Sequence, residues 1–204
     1  MTESAATVEP GPTVPAPPGR ARGIAAFAAS RWPTFVAVAL AADGFFSAVT
    51  DGLVRNLASA MALLPTMYVI MVALDRRRLT WPVLGVLLAG FVALEAQDRV
   101  PPVVVILAVA LAAALWSHRR GRFADGYARL QLVGLALFGA LSVAGLLLAP
   151  EAARYVVAAG WFGHGVWDAV HLIRDRVVAR SWAQWCAVLD VLVGLSLVLV
   201  PLWT

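Results

Sequence analysis

Long apolar stretches, separated by short polar or basic connections, recur along the chain after residue 32. A helix needs about 20 predominantly apolar residues to cross roughly 30 Å of hydrocarbon, and seven stretches approach that length. The pattern therefore predicts an all-α polytopic transmembrane helical bundle of seven spans, numbered in chain order. Their predicted bounds are residues 33–50, 53–74, 81–96, 102–116, 130–148, 152–173 and 182–203.

Two details of this pattern bear on the architecture. Spans 3 and 4 are the shortest and are joined by the polar connection QDRVPP, so five full spans with a re-entrant hairpin at this position are the alternative. Pro65 interrupts span 2. Because proline lacks an N–H and collides with the carbonyl four residues earlier, it predicts a kink there.

Arginine is distributed unevenly among the connections. Cytoplasmic connections of membrane proteins are enriched in positive residues, so this distribution predicts the direction of threading. If the N-terminus is cytoplasmic, most arginines fall on the cytoplasmic side, and seven spans then put the C-terminus outside. The arginines on that side are Arg20, Arg22, Arg31, Arg76, Arg77, Arg78, Arg119, Arg120, Arg122, Arg129, Arg174, Arg176 and Arg180, and those on the other side are Arg55, Arg99 and Arg154.

The composition agrees with a membrane protein, because 61% of the residues are hydrophobic and only 14% are charged. The chain has no lysine, and we interpret its arginine clusters as topology signals rather than a nucleic-acid surface. Residues 1–31, rich in proline and alanine, are predicted to be a disordered cytoplasmic tail before a membrane domain at 32–204. We expect the bacterial plasma membrane as the location and the lipid bilayer as the main partner.

A weak internal repeat is visible in the two most similar connections. LDRRRLTWPVLGVLLAG at 74–90 resembles RDRVVARSWAQWCAVLDVLVG at 174–194, since each has Asp-Arg, stays basic and re-enters the membrane at a tryptophan. This likeness predicts two parallel three-helix repeats, spans 1–3 and 5–7, joined by span 4 as a linker helix. The alternative is that any two cytoplasmic loops followed by an interfacial tryptophan look alike.

Span 6 carries three titratable side chains in the stretch GWFGHGVWDAVHLIRDR, residues 160–176. His164, Asp168 and His171 are spaced i, i+4 and i+7, which places them within roughly a 60° arc of one helix face. Gly163 and Gly165 flank His164 and would let a neighbouring helix approach closely. Such a stripe indicates a face that points to the bundle interior.

Two other spans carry carboxylates at a similar depth. Measured from the cytoplasmic ends, Asp43 on span 1, His164 on span 6 and Asp190 on span 7 lie about 15, 14 and 12 Å into the membrane. A carboxylate at the bilayer centre costs at least about 2.5–3.5 kcal/mol, so both should face the interior. Cys186 precedes Asp190 by four residues, giving span 7 a matching stripe. The sequence therefore predicts a buried polar site between spans 1, 6 and 7.

Three interpretations of this site remain open. The one we favour is small-solute or proton-linked transport, with Asp43, His164, Asp168 and Asp190 as the working residues. In the second, the protein is a structural or accessory subunit whose polar cluster is interhelical glue, each bond contributing about 0.6–2 kcal/mol. In the third, a metal-dependent membrane enzyme binds a transition metal such as zinc. The candidate metal ligands are His164, Asp168, His171, Asp190 and Cys186, although His164 and His171 lie about 10 Å apart along the helix axis.

Tryptophan falls into two groups. Trp161, Trp167 and Trp185 lie within spans near the polar stripes and are candidates for the wall of a cavity, with simple packing as the alternative. The others fall at predicted span ends, where indole rings anchor at the headgroup level. They are Trp32, Trp81, Trp116, Trp182 and Trp203.

Several enzyme signatures are missing from the chain. It contains no Walker motif, GxSxG elbow, HExxH or CxxC. Without lysine it cannot form a retinal Schiff base, and it has only three histidines in all. We therefore predict no catalytic residues and no cofactor other than the possible metal.

The stretch from residue 160 to 194 resembles the C-terminal third of small integral membrane proteins of high-GC bacteria. The shared features are Gly-His before Trp-Asp and His on one span, then a basic loop and Cys-Ala-x-x-Asp on the next. The resemblance implies a bacterial membrane bundle and brings no activity with it. The three-one-three arrangement is similar to that of small sugar and vitamin transporters in architecture only.

Overall fold

The computed structural model describes residues 20–97 and 99–202, with side chains from residue 27 onward. The chain divides into two compact units, Met1–Trp32 and Pro33–Thr204. The described residues form eight α-helices joined by short loops. They are α1 (Arg20–Phe46), α2 (Asp51–Met61), α3 (Leu63–Leu74), α4 (Thr80–Glu95), α5 (Pro102–Arg119), α6 (Gly126–Leu147), α7 (Pro150–Arg174) and α8 (Arg180–Leu199).

The first unit is helical where it is described. Helix α1 begins at Arg20, so residues 20–31 of the predicted tail are helical, and the division into a tail and a membrane domain stays a prediction. Within this unit, Ser30 Oγ donates to the Phe27 carbonyl at 2.8 Å, and the Arg31 guanidinium lies over the Phe27 ring at 5.7 Å. The rest of the predicted tail, residues 1–19, and Trp203 of the predicted interfacial group lie outside the described residues.

In the described part of the chain, five helical segments are long and apolar enough to cross a membrane, which agrees with an all-helical membrane protein. They match predicted spans 2, 3, 4, 5 and 7 in position, and the full crossing of spans 3 and 4 stays a prediction. Helices α1 and α7, the predicted spans 1 and 6, are not among the five. The five segments are Asp51–Leu74, Arg77–Glu95, Pro102–Arg119, Gly126–Leu147 and Arg180–Leu202.

Helices α2 and α3 are separated at Ala62, three residues before Pro65. Because proline has no N–H to donate, the helical bonding pattern is interrupted one turn before it. Side chains of α6 and α7 satisfy carbonyls beside the break. Trp161 Nε1 donates to the Leu57 carbonyl at 3.0 Å, and Ser142 Oγ donates to the Ala58 carbonyl at 2.6 Å. These two hydrogen bonds therefore attach the end of α2 to its neighbours.

Helix α7 packs against α2 and α6 and most extensively against α8. A Cβ added at Gly165 of α7 would lie 3.1 Å from the Ala187 carbonyl oxygen, and one at Gly194 of α8 would lie 2.9 Å from the Ala158 carbonyl oxygen. Only glycine allows the two backbones to approach this closely. The predicted close approach at Gly165 is confirmed, whereas Gly163 faces a phenyl ring at an ordinary 3.6 Å.

The connections after α3 and after α7 are locally alike and contact each other. Asp75 and Asp175 end these helices in the left-handed conformation, with φ of 53° and 48°. Trp81 at the start of α4 donates to Ser181 at the start of α8 at 3.0 Å, and its ring packs against Trp185 with centroids 5.7 Å apart. This likeness concerns the loops, and the three-helix repeat stays a prediction.

Candidate functional site

Three fully buried titratable side chains meet between α7 and α8. His164 Nδ1 lies 2.9 Å from Oδ2 of Asp190 and 2.9 Å from Oδ2 of Asp168. Asp168 follows His164 by one turn of α7, whereas Asp190 comes from α8 and reaches the ring because the two helices pack so closely. One ring nitrogen carries at most one proton, so it donates to only one of these oxygens, and the geometry favours Asp190. We call these three residues the central cluster.

Helix α3 extends the site through Tyr68. Its hydroxyl donates to Oδ1 of Asp168 at 2.5 Å. The Tyr68 side chain is buried, and its ring packs edge-on against Trp182 with centroids 5.4 Å apart. Sequence reasoning missed Tyr68, although a hydroxyl in the apolar stretch MALLPTMYVIMVAL was the available signal.

Several buried atoms of the central cluster have no hydrogen-bond partner among the described residues. They are His164 Nε2, Asp168 Oδ2 and Asp190 Oδ1. Leaving a buried polar atom unpaired costs about 1–3 kcal/mol. Two carboxylates beside one imidazole also concentrate negative charge in a region of low dielectric, which is costly unless a proton or another cation is bound. The central cluster therefore has the chemistry of a site that accepts positive charge.

His171 belongs to a separate, neutral pair. Its Nδ1 lies 2.8 Å from the Trp167 carbonyl oxygen, and because a carbonyl can only accept, Nδ1 carries the proton. Nε2 is then the unprotonated nitrogen and accepts from Gln131 Nε2 at 3.1 Å. Both ring nitrogens are occupied, so His171 is not a member of the central cluster. Gln131 of α6 is a second residue that sequence reasoning missed, and its signal was an amide near the start of span 5.

The structure brings together three of the five candidate metal ligands. Ligand atoms of His164, Asp168 and Asp190 all lie within 4.8 Å of one another. One imidazole nitrogen and two carboxylate oxygens form a set that zinc can use, with water or substrate in the fourth position. His171 is held by its two hydrogen bonds, and Cys186 is buried on α8 outside this group. The described residues therefore offer a three-ligand site rather than the larger predicted set.

Asp43 does not reach the central cluster. The predicted depth of Asp43 assumed that the first helix begins at residue 33. Helix α1 instead runs from Arg20 to Phe46, and Asp43 lies in its last turn. Its side chain is exposed, and Ser47 Oγ donates to its Oδ2 at 3.4 Å. The polar site predicted between spans 1, 6 and 7 is therefore corrected to one between α3, α7 and α8.

The three candidate cavity tryptophans have different positions. Trp161 and Trp185 line a cavity of about 100 Å³. Trp167 does not line this cavity, and its ring packs instead against the His171 ring with centroids 5.3 Å apart. Trp182, predicted at the membrane interface, is buried in the bundle and lines the cavity as well.

At one end of the bundle, three loops are joined by ion pairs. The loops α3–α4, α5–α6 and α7–α8 each contribute one aspartate and one arginine, and every pair connects two different loops. The pairs are Arg77 with Asp175, Arg122 with Asp75 at 2.5 Å, and Arg176 with Asp125 at 3.1 Å. We call these six residues the ion-pair ring. They line a pocket of about 440 Å³ together with Tyr127 of α6.

The ion-pair ring holds the loops in position more than it stabilises the fold, because exposed ion pairs contribute little net free energy. The hydrogen bond from Arg77 lowers the pKa of Asp175 below its ordinary value, and the positive charge of Arg77 acts in the same direction. Behind Tyr127, which lines the pocket, the Tyr127 and His171 rings have centroids 5.2 Å apart, and the His171 and Tyr68 rings 4.5 Å apart. Adjacent side chains thus connect the pocket to the central cluster.

Comparison with protein families, with curated proteins and with solved structures found no match to this chain. The resemblance to membrane proteins of high-GC bacteria therefore stays a prediction. The function must be inferred from the chemistry of the site itself.

Proposed function

We propose that this protein is a multi-pass membrane transporter in which proton binding at the central cluster is linked to the movement of a small solute. The supporting observation is the set of buried atoms that lack partners among the described residues, His164 Nε2, Asp168 Oδ2 and Asp190 Oδ1. A network that served only as interhelical glue would have its donors and acceptors paired. The central cluster instead keeps free acceptors and excess negative charge, which suits a group that gains and loses a proton.

The side chains between the central cluster and the pocket at the loop end support this proposal. Tyr127 lines the pocket, and the rings of His171 and Tyr68 follow it inward. Tyr68 in turn donates to Asp168. The ring contacts place the pocket next to the central cluster, and Tyr68 is the member of this series that hydrogen-bonds to the cluster, through Asp168.

We propose seven spans in a bacterial plasma membrane, with the N-terminus cytoplasmic. The ion-pair ring supports this threading because it joins the arginine-rich loops that follow α3, α5 and α7 at one end. Another pocket supports the alternation of spans, since it is lined by residues from the starts of α2 and α7 and from the end of α8. These residues include Asp51, Pro150 and Pro201.

Infrared difference spectroscopy of the purified protein tests whether the central cluster exchanges a proton. Across the neutral pH range, the wild type should show a change in the absorption of a protonated carboxyl group. Asp190→Asn should lose this change, and His164→Gln should alter it because the amide can hydrogen-bond but cannot become charged. The matched control is His118→Gln, because His118 is exposed at the end of α5 and its replacement should leave the spectrum unchanged.

The structural-subunit interpretation predicts a different infrared spectrum. A purely structural network keeps one protonation state throughout the neutral range, so the wild type would then show no carboxyl change. That result would refute proton binding at the central cluster and would leave the structural subunit as the better interpretation.

The second candidate is a metal-dependent membrane enzyme, favoured by the ligand atoms of His164, Asp168 and Asp190 within 4.8 Å of one another. Metal analysis of the protein after incubation with zinc distinguishes it from the proton site. Under our proposal, zinc stays well below one ion per chain in both wild type and His164→Ala. Near-stoichiometric zinc in the wild type that is lost in His164→Ala would replace the proton site with a metal site.

A further inference from the structure

A second pocket, of about 520 Å³, lies at the loop end of the bundle between the end of α3, the loop that follows it and the end of α5. It shares only Asp75 and Arg122 with the pocket of the ion-pair ring. Its volume falls in the range of ligand sites, about 300–1,000 Å³. We call it the arginine pocket, because Arg76, Arg120 and Arg122 line it.

The arginine pocket carries more positive than negative charge. Asp75 is its carboxylate, and Arg122 pairs with it at 2.5 Å. The Arg120 guanidinium lies over the Trp116 ring at 4.5 Å, a contact that orients the cation without neutralising it. Arg76 and Arg120 are exposed, and in the described part of the chain neither forms an ion pair with a carboxylate. Two positive charges are therefore available to an anion.

An apolar surface leads from this pocket along α5. Val109, Ala112 and Trp116 are spaced i, i+3 and i+7, so they share one face of the helix, and all three are exposed. Leu74, which lines the pocket, is exposed at the end of α3. Because α5 is one of the segments long and apolar enough to cross a membrane, this exposed face suits contact with acyl chains. An exposed indole at a span end, such as that of Trp116, is typical of the headgroup level.

A phosphate group attached to acyl chains matches both features. Guanidinium groups bind phosphate oxygens through paired N–H donors, and basic pockets at the cytoplasmic ends of transmembrane helices hold anionic lipid headgroups. A soluble phosphate would use the arginines but not the apolar face. A zwitterionic headgroup carries a cation of its own, which the arginines would repel. We propose that the arginine pocket binds the phosphate headgroup of an anionic phospholipid whose acyl chains lie along α5.

Phosphatidylglycerol and phosphatidylcholine with identical acyl chains form a matched pair of probes. Both contain a phosphate, but only phosphatidylglycerol has a net negative charge. Native mass spectrometry of the full-length protein in detergent measures the affinity of the first lipid that binds. The wild type should bind phosphatidylglycerol more tightly than phosphatidylcholine by about tenfold or more.

Two double variants with the same change in charge test the position of the site. Arg76→Gln combined with Arg120→Gln should weaken phosphatidylglycerol binding by about 30-fold, since each arginine near a membrane surface contributes about fivefold. Arg119→Gln combined with Arg129→Gln is the control, because both arginines are exposed at this end of the bundle but do not line the pocket. The control should bind phosphatidylglycerol like the wild type.

Equal binding of the two lipids by the wild type overturns the inference without relying on any variant. An equal loss of affinity in the two double variants also overturns it, because the attraction would then come from the charge of the whole surface. Glycerol phosphate at an equal concentration should not displace the lipid, and displacement would assign the pocket to a soluble phosphate instead. The inference requires insertion in a bilayer but no proton binding at the central cluster, so lipid selectivity and the infrared carboxyl change succeed or fail independently.

Discussion

Replacing Gly194 by alanine tests whether the close packing of α7 and α8 builds the central cluster. The added Cβ would lie 2.9 Å from the Ala158 carbonyl oxygen and 3.0 Å from the Phe162 nitrogen. Both are backbone atoms, which cannot rotate away as a side chain can. Ordinary contact begins at 3.4 Å, so the helices must separate by about 0.5 Å. That displacement moves Asp190 away from His164.

The expected change in the free energy of unfolding follows from two opposing effects. Overpacking of a close-packed interior costs about 1–3 kcal/mol, whereas glycine to alanine within a helix gains up to about 1 kcal/mol in helix propensity. Gly85→Ala on α4 is the matched control, because a Cβ at Gly85 meets nothing within 4 Å. The propensity effect is common to both variants and cancels in the comparison. Gly194→Ala should therefore be less stable than Gly85→Ala by about 1–3 kcal/mol.

Unfolding by sodium dodecyl sulfate in mixed micelles, monitored by tryptophan fluorescence, measures the difference in unfolding free energy between the two variants. The infrared carboxyl change should also be altered in Gly194→Ala and unaltered in Gly85→Ala. Equal unfolding free energies for the two variants would refute the backbone contact as the feature that brings Asp190 to His164.

Three further predictions use the same preparations. Ser142→Ala leaves the Ala58 carbonyl without its side-chain donor beside the break between α2 and α3, so the unfolding free energy should fall by about 1–3 kcal/mol. Asp43→Asn should leave the infrared carboxyl change intact, because that side chain is exposed and away from the central cluster, and a lost signal would restore Asp43 to the site. Arg77 lowers the pKa of Asp175 below 3.8 in the folded state, so Asp175 stabilises the fold above its unfolded pKa and loses this effect as pH falls through the folded value. The difference in unfolding free energy between wild type and Asp175→Asn should therefore be constant near neutral pH and disappear in acid, and persistence of the difference in acid would contradict the ion pair as its cause.

Sequence reasoning succeeded where a property depends on residues close together in the chain. The apolar length of α4 and α5 and the effect of Pro65 on its own helix are local properties, and both appear in the structure. The spacing of His164 and Asp168 likewise follows from helical periodicity, which places i and i+4 on one face. Asp43 shows where this reasoning fails. Its predicted depth depended on the residue at which α1 begins, and the basic segment before residue 33 gives no apolar signal for that boundary.

Hydrophobic length and helical period are properties of consecutive residues, so the positions of the apolar helices and the polar stripe on α7 could be predicted from the sequence. Which stripe meets which depends on how the helices pack. Tyr68 lies far from Asp168 in the chain, and the two meet because helix packing brings α3 and α7 together. The contact of Asp190 with His164 likewise depends on glycine at positions 165 and 194, where two backbones touch. Such contacts arise from complementary helix surfaces, and the period of a single helix does not encode the identity of its neighbour.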